Sequence, residues 1–247
     1  AIASFKTARD RRFNSAVLHT NLAIAYVQTG LKEKALQSLR RAVAIDPLNL
    51  NAVAFLADLA FAEGRSEDSI PSLRYFIRFE QKQSHMWGRL ARALLHIGQP
   101  NEAIAALKRQ GSINSDSSVW NNLGVAYSQK GDVTKAMESY KQAMTIGTSV
   151  SDYVYCVSAK NAATLLSKTG KPADVIKFVG RVVEAENVGV FCGDSDLSTI
   201  FILQFIAFSK TKEFARATYL GEEMLRREGC VLQLRAWVAT WLLAIYS

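Results

Sequence analysis

Three histidines are the residues whose chemistry best suits acid–base catalysis or metal binding, because imidazole titrates near neutral pH and binds transition metals. They are His19, His85 and His96, and no two of them have the four-residue spacing of a metal site on a helix. The sequence also contains no phosphate-binding glycine loop and no nucleophile motif of a hydrolase. We therefore predict that the protein is not an enzyme and has no catalytic residue, metal site or cofactor.

The chain has three cysteines, Cys156, Cys192 and Cys230, which are 36 and 38 residues apart. Neither interval matches a zinc-ligand spacing or a disulfide framework, so we expect ordinary buried thiols. An odd number of cysteines favours a reducing compartment, since an extracellular chain tends to pair its thiols. The predicted location is the cytoplasm.

Two nearby aspartates, Asp194 and Asp196, could be considered as ligands of a cation. They directly precede an apolar stretch of helical character, where aspartate commonly caps the first turn of a helix. We expect them to be capping residues.

The composition indicates a folded, helical chain. Of its 247 residues 49% are apolar and 21% are charged, which is enough apolar material for a large core and too little repulsion for disorder. Only four prolines and 14 glycines interrupt the chain, and no polar and β-branched residues alternate as in a strand. The predicted fold class is all-α.

The sequence contains a repeat whose length corresponds to one helical hairpin. Gly30, Gly64, Gly98, Gly131 and Gly170 follow one another at intervals of 34, 34, 33 and 39 residues. An amphipathic stretch precedes each glycine and a second one follows it. Because glycine adopts the left-handed backbone conformation that ends a helix, each repeat is predicted to be a pair of helices.

The stretch SVWNNLGVAYSQKGDVTKAMESYKQAMTIG, residues 118–147, shows the pattern most clearly. Its characteristic positions are Trp120, Leu123, Gly124, Tyr127, Gly131, Ala136, Tyr140 and Ala143. In these positions the chain resembles the tetratricopeptide repeat family. The resemblance implies a right-handed superhelical solenoid of stacked antiparallel helix hairpins, in which the first helix of each unit lines a concave groove that binds protein segments.

With glycine as the anchor, the predicted units span residues 16–49, 50–83, 84–116, 117–150, 156–189 and 198–231. Residues 16–150 then hold four regular repeats and residues 151–231 two divergent ones. Residues 1–15 fit the second helix of a truncated preceding repeat, which indicates a fragment of a longer protein, and residues 232–247 form an apolar C-terminal helix. We expect irregular hairpins where Ser69 and Phe76 occupy slots for small residues, and where Lys212 replaces the glycine.

The resemblance also implies which residues face the groove: Asn21, His85, Arg89, Arg92, Asn121, Asn122, Lys160, Asn161 and Lys168. A side-chain amide can donate to and accept from the backbone of an extended peptide, although an exposed asparagine needs no such role. Arginines can bind carboxylates by charge-assisted hydrogen bonds, and Asp58 alone opposes the positive charge. The predicted function is therefore an adaptor that binds an extended, acidic peptide segment or a C-terminal carboxylate.

Two alternatives remain open. A structural or oligomerisation scaffold would pack on sister domains, and the apolar C-terminal helix favours self-association. The net charge of +8 raises the alternative of a nucleic-acid binder, but residues 1–49 carry +5 of it and the remaining residues only +3, so nucleic acid is the weaker alternative. A membrane partner is also unfavoured, because the last twelve uncharged residues fall short of the roughly 20 that span a bilayer.

Overall fold

The computed structural model describes residue 2 and residues 15–146, 153–169, 172–183 and 194–226. Within these ranges the regular structure is helical, with twelve α-helices and no strand. The predicted all-α class is thus confirmed. Of the expected helix at residues 1–15, only residues 2 and 15 are described. The expected C-terminal helix at 232–247 lies outside the described residues. The predicted division of the chain into repeats therefore stays a prediction.

The helices form six consecutive hairpins. The first three pair α1 (Ala16–Gln28) with α2 (Lys32–Ile45), α3 (Leu50–Ala62) with α4 (Ile70–Phe79), and α5 (Ser84–His96) with α6 (Pro100–Ile113). The other three pair α7 (Ser117–Lys130) with α8 (Val133–Ile146), α9 (Tyr153–Lys168) with α10 (Pro172–Val183), and α11 (Asp194–Lys210) with α12 (Phe214–Arg226).

The chain divides into two compact units, Ala1–Ser115 and Asp116–Ser247, here called unit 1 and unit 2. Each unit holds three of the hairpins. In unit 1 the first helices α1, α3 and α5 pack on one another in order, and in unit 2 the first helices α7, α9 and α11 do the same. Stacked helix hairpins, as predicted, are therefore the architecture of each unit.

Four of the repeating glycines occupy the turns between paired helices. Gly30, Gly64, Gly98 and Gly131 have φ values of 74°, 70°, 74° and 84°, in the left-handed region that glycine tolerates best. In each turn two backbone hydrogen bonds close the end of the first helix, as where the N–H of Gly131 donates to Ser128 O over 3.1 Å. Gly170 lies outside the described residues.

The turn of the sixth hairpin keeps the same geometry without glycine. Lys212 has φ of 60°, and its N–H donates to Ser209 O at 3.2 Å, while the N–H of Glu213 donates to Phe208 O at 2.9 Å. These two bonds match those of the glycine turns. The expectation of an irregular hairpin is therefore wrong at this turn, because the packing of α11 on α12 holds Lys212 in a conformation that lysine disfavours.

The second hairpin is irregular, as expected. A short 3-10 helix, Ser66–Asp68, precedes α4, and α4 itself has only 10 residues. Ser69 is buried, and its hydroxyl donates to Ser66 O at 2.8 Å, so it is satisfied at the start of the helix. Phe76, fully enclosed, fills the position that Ala42 and Ala143 occupy in the first and fourth hairpins.

The fourth hairpin shows why a small residue is needed in the first helix. Gly124 packs against the ring of Tyr140, and an added Cβ would lie 2.5 Å from Cδ1 of that ring. Tyr140 is buried, and burial raises the pKa of its hydroxyl. The close approach of α7 and α8 thus depends on the missing side chain at Gly124.

One expectation about the cysteines is wrong. Cys156 in α9 is buried and disulfide-bonded, and its partner lies outside the described residues. Disulfides persist mainly in oxidising compartments. The cysteines therefore no longer support the predicted cytoplasmic location.

Candidate binding surfaces of the first helices

In unit 1 the helices α3 and α5 bring two predicted site residues to one carboxylate. Arg89 donates to Asp58 through Nε, 3.1 Å from Oδ1, and through Nη2, 2.8 Å from Oδ2. Arg92 donates through Nη2 to Oδ1 of the same residue at 2.5 Å. The side chains of Arg89, Arg92 and Asp58 remain 24%, 44% and 43% exposed, so solvent reaches all three.

Asp58 therefore orients the two guanidinium groups and neutralises one of their charges. A guanidinium has five N–H donors, and Arg92 uses one of them on Asp58 while Arg89 uses two. Most of the donors thus have no partner among the described residues. The arrangement, here called the Asp58 cluster, keeps a net charge of +1.

An aromatic side chain that the sequence did not single out supports this cluster. The guanidinium carbon of Arg92 lies 4.6 Å from the ring centroid of Phe61, a cation–π arrangement. Phe61 also meets His96 edge to face, with ring centroids 5.5 Å apart. Phe61 lies three residues after Asp58, on the same face of α3, which is the sequence signal that could have found it.

His85 lies beside the same charges. Its pKa is lowered from the usual 6.5, first because part of the ring is removed from water and next because Arg89 is positively charged, while Asp58 acts in the opposite direction. The imidazole is therefore mainly neutral at pH 7 and adds no charge to the cluster. Asn21, another predicted site residue, is exposed on α1 and makes no side-chain hydrogen bond to the described residues.

In unit 2 the predicted asparagines form a hydrogen-bonded group between α7 and α9. Oδ1 of Asn121 accepts two hydrogen bonds at 3.1 Å, one from the hydroxyl of Ser158 and one from the side-chain amide of Asn161. Ser158 is fully buried and was not predicted as a partner. Asn121 thus links the two first helices, and its oxygen is already used within the protein.

Asn122 differs from its neighbour. It is half-buried, and its only side-chain hydrogen bond in the described part of the chain is a long one, 3.5 Å, from the amide of Asn121 to its Oδ1. Its own amide nitrogen has no such partner. Lys160 is half-buried and Lys168 is exposed on α9, the helix that also carries Asn161. Among the described asparagines of unit 2, Asn122 is therefore the one whose side chain makes only a long hydrogen bond within the protein.

Neither metal binding nor membrane insertion receives support from the described ranges. They hold no group of three or more His, Cys, Asp or Glu side chains that could bind a metal ion. No helix within them has both the length and the apolar character needed to cross a bilayer.

The described part of the chain consists of successive helix hairpins, and the first helices of these hairpins carry polar side chains. This architecture is that of a helical repeat protein. Models of the tetratricopeptide repeat match residues 16–47, 56–116 and 117–146. These segments of the chain are therefore tetratricopeptide repeats. The resemblance inferred from the sequence is confirmed, and the fold is that of a protein-interaction scaffold.

Solved structures show the same fold at low sequence identity. The type IV pilus biogenesis factor PilW is 13% identical with a TM-score of 0.65, covering 90% of this chain and 98% of its own. The C-terminal part of a repeat-containing protein from Cytophaga hutchinsonii is 13% identical with a TM-score of 0.66, covering 95% and 92%. MamA from Desulfovibrio magneticus RS-1 is 16% identical with a TM-score of 0.57, covering 69% and 94%. No curated protein matches the sequence.

Proposed function

We propose that the chain is a non-enzymatic adaptor that binds extended, acidic polypeptide segments on the faces of its first helices. The observation that carries the proposal is the Asp58 cluster, in which one carboxylate orients Arg89 and Arg92 while most of their N–H donors stay available. Charge-assisted hydrogen bonds from arginine suit the carboxylates of such a segment. Phe61 beneath Arg92 adds an apolar contact surface.

Unit 2 supports the same function by another contact. The amide of Asn122 can bond the peptide backbone, whatever the side chains of the ligand, because every peptide unit offers a carbonyl acceptor. Lys160 and Lys168 lie on the neighbouring helix α9, as does Asn161, and the positive charges of the two lysines favour an acidic ligand there. The proposal is made for each unit by itself.

The location of the protein and its assembly are part of the same proposal. A cytoplasmic location stays a prediction, against which the disulfide of Cys156 argues. Self-association through residues 232–247 also stays a prediction, since these residues lie outside the described ranges. Binding to a partner's C-terminal carboxylate is a special case of the acidic ligand.

A peptide array with acidic, neutral and basic sequences, probed with the whole chain, tests the function. Acidic sequences should dominate among the bound peptides. Arg92→Glu should weaken them about tenfold, because it removes a partly exposed charge-assisted contact and adds a repulsive carboxylate. Arg92 is preferred over Arg89 for this change because Arg89 is the less exposed partner in the contact between α3 and α5.

The matched control is Arg41→Glu, which makes the same change of charge at an exposed arginine on the second helix α2. It should leave the bound peptides unchanged. Asn122→Ala should weaken all peptides by a similar factor, about three- to tenfold, since one backbone hydrogen bond is lost. Equal loss with Arg41→Glu and Arg92→Glu, or no preference for acidic sequences, would remove the support for this function.

A further inference from the structure

Unit 1 contains a cleft that the proposed function does not use. Its volume is about 360 Å³, and it lies where the C-terminal ends of α4 and α6 meet the beginning of α5. Four basic residues line this α4–α6 cleft: Arg74, Arg78, Lys82 and Arg109. No carboxylate is among the described residues that line it.

Most of these charges are not compensated by the protein. Arg74 forms an ion pair with Glu102 at 2.5 Å. Arg78, Lys82 and Arg109 are exposed and have no ion-pair partner among the described residues. Elsewhere in unit 1 several basic side chains are paired, as with Lys32 and Glu63, Arg40 and Asp68, and the Asp58 cluster. The cleft therefore collects an excess of three positive charges in one place.

An apolar wall accompanies the charges. Ile77 is buried at the wall of the cleft, Trp87 is half-buried, and Ile113 is 43% exposed. The indole N–H of Trp87 donates to Gln81 O at 3.0 Å, which fixes the orientation of the ring. A ligand in this cleft would thus meet a rigid aromatic surface and isoleucine side chains next to the cations.

The location of the cleft at two helix C-termini limits the chemical classes of ligand that it can bind. Basic residues near a C-terminus are favourable for the helix dipole, and Arg78 lies in the last turn of α4. That effect alone does not account for an exposed Ile113 and a fixed Trp87 in the same cleft. Because the ends of helices present carbonyl oxygens, they disfavour a doubly charged phosphate more than singly charged carboxylates.

We propose that the α4–α6 cleft is a second binding site of unit 1, for an acidic polypeptide segment that carries a large apolar side chain between Asp or Glu residues. The carboxylates bind Arg78, Lys82 and Arg109, and the apolar side chain packs on Trp87 and Ile113. The site is formed by the second helix of two hairpins and by the start of α5, so it is separate from the Asp58 cluster. A single cleft of about 360 Å³ suits a short segment better than a nucleic-acid backbone, which follows a long stripe of charge.

Fluorescence anisotropy with the whole chain tests this site. The probes are fluorescein-labelled heptapeptides Gly-Asp-Glu-X-Glu-Asp-Gly with Leu, Phe or Trp at X, and their neutral counterparts with Asn and Gln in place of Asp and Glu. The acidic probes should bind in a salt-dependent manner and more tightly than the neutral ones. Replacing X by Gly should weaken binding, because the apolar contact is lost.

Two double variants separate the cleft from general attraction by charge. With the Asp58 cluster impaired by Arg92→Glu, Arg78→Glu with Arg109→Glu should weaken the acidic probes by about tenfold or more, since two carboxylate contacts become repulsive. Lys34→Glu with Arg41→Glu makes the same change of net charge at two exposed residues of α2 and should change binding by less than about twofold, because exposed charges at a distance are screened. Circular dichroism and a denaturation curve establish that both variants fold.

Each other result overturns the proposal. Equal weakening by the two double variants would show that only net charge matters, and absence of binding by the acidic probes at millimolar concentration would exclude the site. If a labelled single-stranded oligonucleotide binds and the acidic probes do not, and if its binding depends on Arg78 and Arg109, the cleft is a nucleic-acid site. Weakening by Arg92→Glu alone would place the probes on the Asp58 cluster, which leaves the proposed function intact and removes this second site.

Discussion

The side-chain amide of Asn161 donates a hydrogen bond to Oδ1 of Asn121 over 3.1 Å and so joins the first helices of two successive hairpins. The hydroxyl of the fully buried Ser158 bonds the same oxygen. Asn121→Ala should therefore destabilise the chain by about 2–3 kcal/mol, because two donors lose their acceptor and one of them is buried. Denaturant unfolding followed by circular dichroism measures this.

Two control variants belong to that experiment. Asn121→Asp keeps an acceptor for both donors and should cost less than Asn121→Ala. Asn122→Ala should change stability by less than about 0.5 kcal/mol, since it removes one long hydrogen bond on a partly exposed residue. Similar losses for Asn121→Ala and Asn122→Ala would contradict the assignment of the structural role to Asn121 alone.

The pKa of His85 should respond to the charges of the Asp58 cluster. Burial and the positive charge of Arg89 lower its pKa below 6.5, while Asp58 raises it. Arg89→Gln should raise this pKa, and Asp58→Asn should lower it further, because the two charges act with opposite sign. Proton NMR of the imidazole as a function of pH checks both directions.

The same shift has a consequence for stability. A histidine with a lowered pKa binds fewer protons in the folded state than in the unfolded one. The contribution of His85 should therefore reduce stability as pH falls through the unfolded value of 6.5 towards the lower folded pKa, and it should be constant above neutrality. A His85→Gln variant should lack this part of the pH dependence; an unchanged profile would contradict it.

Gly124 should tolerate no larger side chain. Gly124→Ala is expected to cost about 2–3 kcal/mol, because the new methyl group overlaps the ring of the buried Tyr140. Gly180→Ala is the matched control, since nothing lies within 4 Å of the added Cβ in α10, and alanine should stabilise that helix by about 0.5–1 kcal/mol. Thermal unfolding of the two variants should thus shift in opposite directions.

Lys212→Gly should stabilise the sixth hairpin. The left-handed φ of 60° costs a lysine about 1–2 kcal/mol, while the extra freedom of glycine in the unfolded chain offsets part of the gain. We expect a net gain of about 0.5–1 kcal/mol. Lys210→Gly, two residues earlier at the end of α11, should instead destabilise, and a loss of stability with Lys212→Gly would mean that the turn is not left-handed.

The disulfide of Cys156 can be counted directly. The chain has three cysteines, so one disulfide leaves one free thiol per chain in denaturant without reductant, and reduction should raise the count to three. Thiol titration gives the number, and peptide mapping identifies the partner of Cys156. Three free thiols before reduction would contradict the disulfide and restore the expectation of unpaired cysteines.

The sequence by itself determined the helical class, the hairpin repeat and the turns at Gly30, Gly64, Gly98 and Gly131. These features are local, because a positive φ favours glycine and a helix face follows from the spacing of neighbouring residues. The small residue at Gly124 could also be read from the repeat pattern. The two units, divided after Ser115, were not apparent from it.

Tertiary structure alone decided which polar side chains meet. Asp58 lies 31 residues before Arg89 and 34 before Arg92, and the register of α3 against α5 determines whether the three touch. The sequence placed both arginines on one helix and identified Asp58 as the opposing charge, but it did not show that this carboxylate binds both arginines. The hydrogen bonds of Asn121 with Ser158 and Asn161 likewise depend on how α7 packs on α9.

The left-handed turn at Lys212 and the disulfide of Cys156 are two features that the sequence did not predict. Local preference predicts no left-handed lysine, yet the packing of α11 and α12 outweighs its cost. The spacing of the cysteines predicts no disulfide, but pairing requires only that two sulfur atoms meet in space.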